Sequence, residues 1–138
     1  MWWTSPLEDE NGNLIMVTGR GDIDKFRSNP KFKIRVTVTI PYKAISSGMP
    51  TDEEADQLQA IADSFDTVLK ADPVAVLTGI YTGAGERQMV FYTLSTNIFN
   101  KKLNLALEPF PLLPLTITAE NDPDWEEYDE MRSLSEIN

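Results

Sequence analysis

Phe32-Lys33-Ile34-Arg35-Val36-Thr37-Val38-Thr39-Ile40-Pro41 decides the fold class. Phe32, Ile34, Val36, Val38 and Ile40 fall on one side of an extended chain, and Lys33, Arg35, Thr37 and Thr39 on the other. Strict period-2 alternation means a strand with one face in a core and one wetter face. Pro41 has no N–H for a ladder and ends the run. The strand needs partners and a helical cover, and both lie downstream.

After the loop Gly48-Met49-Pro50, Thr51-Asp52-Glu53-Glu54 has the form of a capping box, with Thr51 at the N-cap and Glu54 at the third helical position. Ala55, Leu58, Ile61, Ala62, Phe65, Val68 and Leu69 follow at helical spacing, and Asp72-Pro73 stops the helix. Val74 to Thr82 and Arg87 to Leu94 read as a hairpin around Gly83-Ala84-Gly85. Ser95 or Thr96 caps a second helix bearing Ile98, Phe99, Leu103, Ala106 and Leu107, ended by Pro109, Pro111 and Pro114. Leu115 to Ala119 is a last strand, with Thr116 and Thr118 pointing outward. Asp122-Pro123 opens a turn, a short helical piece reaches Met131, and residues 132–138 are expected to fray.

Upstream, Leu14 to Thr18 reads as a short strand stopped by Gly19 and Gly21, and residues 1–12 form an N-terminal segment. The fold expectation is α+β. A ferredoxin-like βαββαβ antiparallel sheet carries two helices on one face, plus an extra N-terminal strand. That strand either pairs with Phe32–Ile40 or adds an edge. The opposite sheet face is expected to be open, carrying Lys33, Arg35, Thr37, Thr39, Thr116 and Thr118. Trp2-Trp3 either covers a sheet edge or apolar patch, or contacts another chain.

A chain of 138 residues with 41% hydrophobic and 25% charged residues supports one core, so residues 1–138 are expected to form a single domain. Cys and His are both absent, which removes disulfides, Cys–His and Ser–His–Asp nucleophilic machinery, and the usual zinc ligands. No cofactor and no metal site is expected. Carboxylate pairs are assigned to solvation and helix capping. The first residues lack a basic start and a long apolar run, so no secretory signal is read there. No stretch approaches the ~18 apolar residues of a membrane span. The expected setting is cytoplasmic.

Net charge is −10 and unevenly placed. Arg20 to Lys43 holds seven basic residues against Asp22 and Asp24, while Glu120 to Asn138 holds eight acidic residues against Arg132. The overall sign disfavours nucleic acid, whose affinity comes from phosphate neutralisation. It allows an acidic surface that docks on a basic protein, and the competing reading of the same charge is simple solubility.

Four stretches together resemble a known family: Glu10-Asn11-Gly12 before a short strand, Ile40-Pro41-Tyr42 closing the alternating strand, Gly48-Met49-Pro50-Thr51 leading into an acidic helix, and Asp122-Pro123-Asp124-Trp125-Glu126-Glu127-Tyr128. The chain resembles the uncharacterised bacterial family called domain of unknown function 695. That resemblance implies a fold and no chemistry.

The leading functional expectation is a non-enzymatic, protein-binding or regulatory module. Trp125, Tyr128, Asp122 and Asp124 are its candidate partner-binding residues, as aromatic anchors in an acidic rim. The competing reading of Trp125 and Tyr128 is that they pin the tail to the body. The alternative function is a small-molecule or anion-binding domain, or an enzyme of unrecognised type, with Lys33, Arg35 and Arg87 on the open sheet face. A homodimer through that face is a third expectation.

Overall fold

The computed structural model describes residues 2–134. Six strands form one antiparallel sheet: β1 (Trp2–Glu8), β2 (Leu14–Arg20), β3 (Ile34–Pro41), β4 (Ala75–Gly83), β5 (Glu86–Thr93) and β6 (Thr116–Asn121). Their order across the sheet is β1-β2-β4-β5-β3-β6. Four helices accompany them among the described residues: α1 (Asp24–Arg27), α2 (Asp52–Ala71), α3 (Thr96–Leu107) and α4 (Glu126–Ser133). The mixed α+β class agrees with the sequence. The six-stranded order differs from a four-stranded ferredoxin-like sheet, because an N-terminal hairpin extends it beyond β4.

α2 and α3 form as their spacing predicts. Leu58, Ile61, Phe65 and Leu69 of α2 and Phe99, Leu103 and Ala106 of α3 are buried against Val36, Val38, Ile40, Leu77, Met89 and Phe91. Thr51 Oγ1 accepts from Glu54 N at 3.3 Å. Only half of the capping box is made, because Glu54 Oε1 takes the amide of Lys43 instead, at 2.9 Å. Ser95 Oγ caps α3 by accepting from Ile98 N at 3.1 Å. The β4–β5 turn is the pair Ala84-Gly85, both at positive φ (51° and 81°), the handedness that matches strand twist.

Three expectations are corrected. First, Trp2-Trp3 belongs to an edge strand: β1 pairs with β2 from Trp2↔Arg20 to Glu8↔Leu14. Gly19 lies inside β2 and does not stop it. A β-carbon there would come within 2.3 Å of the Trp3 ring. Second, Phe32 precedes β3 and does not share a core with Val36; it is buried instead among Ile23, Phe26 and Trp125. Third, the sheet face expected to be open carries its own apolar cluster. Val17, Val76, Val90 and Tyr92 of the sheet pack there with Trp125, Tyr128 and Met131 of the closing segment. Gly79 admits the Met131 thioether, which lies 2.2 Å from where a β-carbon would be.

The two covers are offset. α2 and α3 lie over β3, β4 and β5, leaving Trp2, Thr4, Pro6 and Leu14 of the hairpin exposed on that face. α4 lies over β2 and β4 on the other face, leaving Thr116 and Thr118 exposed. Of the tail expected to fray, Arg132 and Ser133 are helical, and residues 135–138 lie outside the described residues.

Candidate functional site

The closing segment is a latch built around Asp122. Trp125 stacks on Tyr92 of β5 with ring centroids 4.1 Å apart and planes 14° apart, and meets Tyr128 edge-on at 5.5 Å. The Trp125 indole donates to the Phe32 carbonyl at 2.7 Å. Asp122 Oδ2 accepts from Tyr92 OH at 2.6 Å and from Arg35 at 3.1 Å. Both Asp122 oxygens also receive amides of the first turn of α4, from Glu126 at 2.9 Å and Glu127 at 3.2 Å. Burial alone would raise the Asp122 pKa; the Tyr92 hydroxyl, those amides and Arg35 together hold it below the ordinary carboxylate value. Trp125 adopts φ 55°, a left-handed conformation that disfavours a bulky side chain. The packing of its ring holds it there.

α4 is fastened at two further points. Arg27 of α1 donates to both carboxylate oxygens of Asp129. Tyr81 OH of β4 donates to Glu127 Oε1 at 2.6 Å, while Glu127 Oε2 is buried with no partner among the described residues. Burial raises the Glu127 pKa, against the opposing pull of Tyr81 and Arg35.

The candidate residues therefore separate. Trp125, at 1% exposure, Tyr128 and Asp122 are inside the molecule, and Asp124 is on its surface. The latch is brought together as one network, but its rings are not a wet anchor. Lys33, Arg35 and Arg87 do not converge. Lys33 is exposed, and Arg35 is committed to Asp122 and Glu120. Arg87 pairs across strands with Ile40 and shares a face with Met89 and Phe91, opposite to Arg35.

A groove opens elsewhere, where α2 overhangs the uncovered hairpin. This groove has a volume of about 780 Å³. Thr18, Ile80, Ala75 and Leu77 contribute to its lining, with Trp2 and Phe26 as its aromatic members. Trp2 is 45% exposed, and the Arg20 guanidinium lies 5.3 Å from its ring. Gln59, Asp63, Asp66 and Lys70 of α2 form a wall. Asp52, Asp56, Asp63 and Asp66 are exposed and recur at i, i+4, i+11 and i+14, so one helical stripe is acidic as far as Asp66, which pairs with Lys70 of the last turn at 3.0 Å. From sequence alone, capping and solvation account for these acids. Their spacing was the available signal, but their position against an open sheet is a tertiary fact. Among the described residues, no group of three or more carboxylates is placed to hold a metal ion. Nor is any helix among them long and apolar enough to cross a membrane.

The fold and this surface define an α+β sheet protein with a latched C-terminal helix and a lateral groove. A family model described as a family of unknown function (DUF695) matches residues 2–131, and the chain belongs to that family, as its motifs indicate. No curated protein and no solved structure matches it.

Proposed function

We propose that the chain is a non-enzymatic, single-domain binding module that receives a basic protein partner in the groove between α2 and the N-terminal hairpin. The groove carries this reading. It joins a half-exposed tryptophan to an acidic helical wall, and large aromatic rings beside charge are what interface anchors are made of. The net charge of −10 supports steering of a cationic surface. The same charge makes a second copy of this chain a poor occupant. Trp125, Tyr128 and Asp122 serve the reading by holding α4 on the sheet, and Asp124 adds an acidic contact at the surface. The interleaved order β4-β5-β3-β6 supports treating that part as a ferredoxin-like unit to which the hairpin has been added.

The test compares capture of a partner, from cells that make the protein, by wild type, Trp2→Ala and the double variant Asp63→Lys/Asp66→Lys. Loss of the same partner in both variants, and on raising salt, is the expected result. Undiminished capture by both variants would rule the groove out.

A further inference from the structure

Four arginines are half-buried: Arg20, Arg27, Arg35 and Arg87. Three are neutralised. Arg20 contacts Asp22 at 3.0 Å, Arg27 grips Asp129, and Arg35 reaches Glu120 at 2.6 Å and Asp122 at 3.1 Å. Arg87 is the exception. Its Nε donates to Thr82 Oγ1 at 3.0 Å, and among the described residues it has no carboxylate partner and no acceptor for its two terminal amino groups. Acids are not scarce, since 22 Asp and Glu stand against 12 Lys and Arg. Burial depresses the Arg87 pKa, as expected for a cation moved out of water without a counter-charge.

The surroundings of Arg87 suit an oxyanion. Arg87 lies in a row of residues across the sheet, beside Thr82 of β4, which in turn faces Met16 of β2. Thr82 is buried, and its oxygen serves as the acceptor for Arg87, so its own proton remains available to donate. With Nε already bonded, Nη1 and Nη2 present two parallel N–H groups end-on, the geometry that takes an oxyanion bidentately. Ile80, two residues before Thr82 on the same strand, lines the groove. The anion site thus lies one same-face step, roughly 7 Å, from the groove and does not depend on what the groove binds.

We propose that Arg87, assisted by the Thr82 hydroxyl, anchors a binding site for an oxyanion, the carboxylate or phosphate group of a ligand. The bound anion supplies the neutralising charge that the fold gives its other three half-buried arginines.

The test uses the full chain labelled with ¹⁵N and follows the arginine Nε–H signals and the Thr82 amide. Sodium acetate and sodium phosphate are titrated separately, with chloride at matched ionic strength as reference. Saturable shifts with acetate or phosphate, absent with chloride and absent in Arg87→Met, are expected. Saturation by acetate alone assigns a carboxylate ligand, and saturation by phosphate alone assigns a phosphoryl group. No saturation with either, or the same shifts with chloride or in Arg87→Met, overturns the site. Arg87→Lys keeps the charge and loses the fork, so binding about tenfold weaker is expected, and undiminished binding counts against the proposal. In anion-free buffer Arg87→Met is expected to melt no lower than wild type. A lower melting temperature, or failure to fold, makes Arg87 a structural residue and overturns the site.

Discussion

The two covers of the sheet are held by different forces. α2 and α3 lie on an aliphatic and phenylalanine cluster without a buried charge, and Phe91 meets Phe65 at 5.0 Å and Phe99 at 4.9 Å. α4 has only eight residues, too short to be stable by itself in water. It is held by three buried side chains, Trp125, Tyr128 and Met131, and by a carboxylate that caps it and ties it to β3 and β5. One cover follows from hydrophobic periodicity. The other depends on specific polar geometry, and that makes it sensitive to single atoms and to pH.

The sharpest way to break this contrast is to remove the ring at the centre of the latch. Trp125→Ala should lower stability by about 3–5 kcal/mol, the usual range for truncating a buried tryptophan, measured by urea unfolding. A loss below about 1 kcal/mol would mean that the segment is not part of the core. Asp122→Asn should cost about 1–3 kcal/mol, because Arg35 loses a buried counter-charge. Its pH dependence has a definite sign. The folded Asp122 pKa lies below its ordinary value of 3.8, so its stabilisation is present above that value and is lost as pH falls through the folded value. The variant should lose this acid-side decline in melting temperature.

Glu127 provides the opposite case. Its folded pKa is raised by burial, so the folded chain holds the proton more tightly than the unfolded chain. Stability is greatest below the unfolded value and declines as pH rises through the folded value. Glu127→Gln keeps an acceptor for Tyr81 and removes the charge. It should therefore raise the melting temperature at neutral pH and flatten that decline; a lower melting temperature at pH 7 would contradict the assignment. Trp2→Ala is the smallest expected change, within about 0.5 kcal/mol, because the ring is half-exposed. A destabilisation rivalling that of Trp125→Ala would make the groove part of the core.

How much of this was legible in the sequence follows from the same contrast. The period of Leu58, Ile61, Phe65 and Leu69, and the alternation of Val36, Val38 and Ile40, placed α2 and β3 because each pattern is local. The destination of Trp125 was not local: its indole bonds a carbonyl 93 residues away. β1 was hidden by Pro6, which argues against a strand until it is known to lie at an edge. Phe32 continued the alternation but left the strand's core face, because Phe26, in a four-residue helix too short to leave a pattern, meets it edge-on at 5.3 Å. The separation of Arg87 from Arg35 was masked by β5. There Met89 and Phe91 face one side and Val90 and Tyr92 the other, so both faces are apolar and alternation does not reveal which is which.

Exchange of the tryptophan indole hydrogens with D₂O, followed by NMR on the intact chain, compares latch and groove in one sample. Strong protection is expected at the Trp125 indole, held by its bond to the Phe32 carbonyl, and rapid exchange at half-exposed Trp2. A Trp125 indole that exchanges as fast as that of Trp2 would show that the tail is not a latch and would return its aromatic rings to the surface.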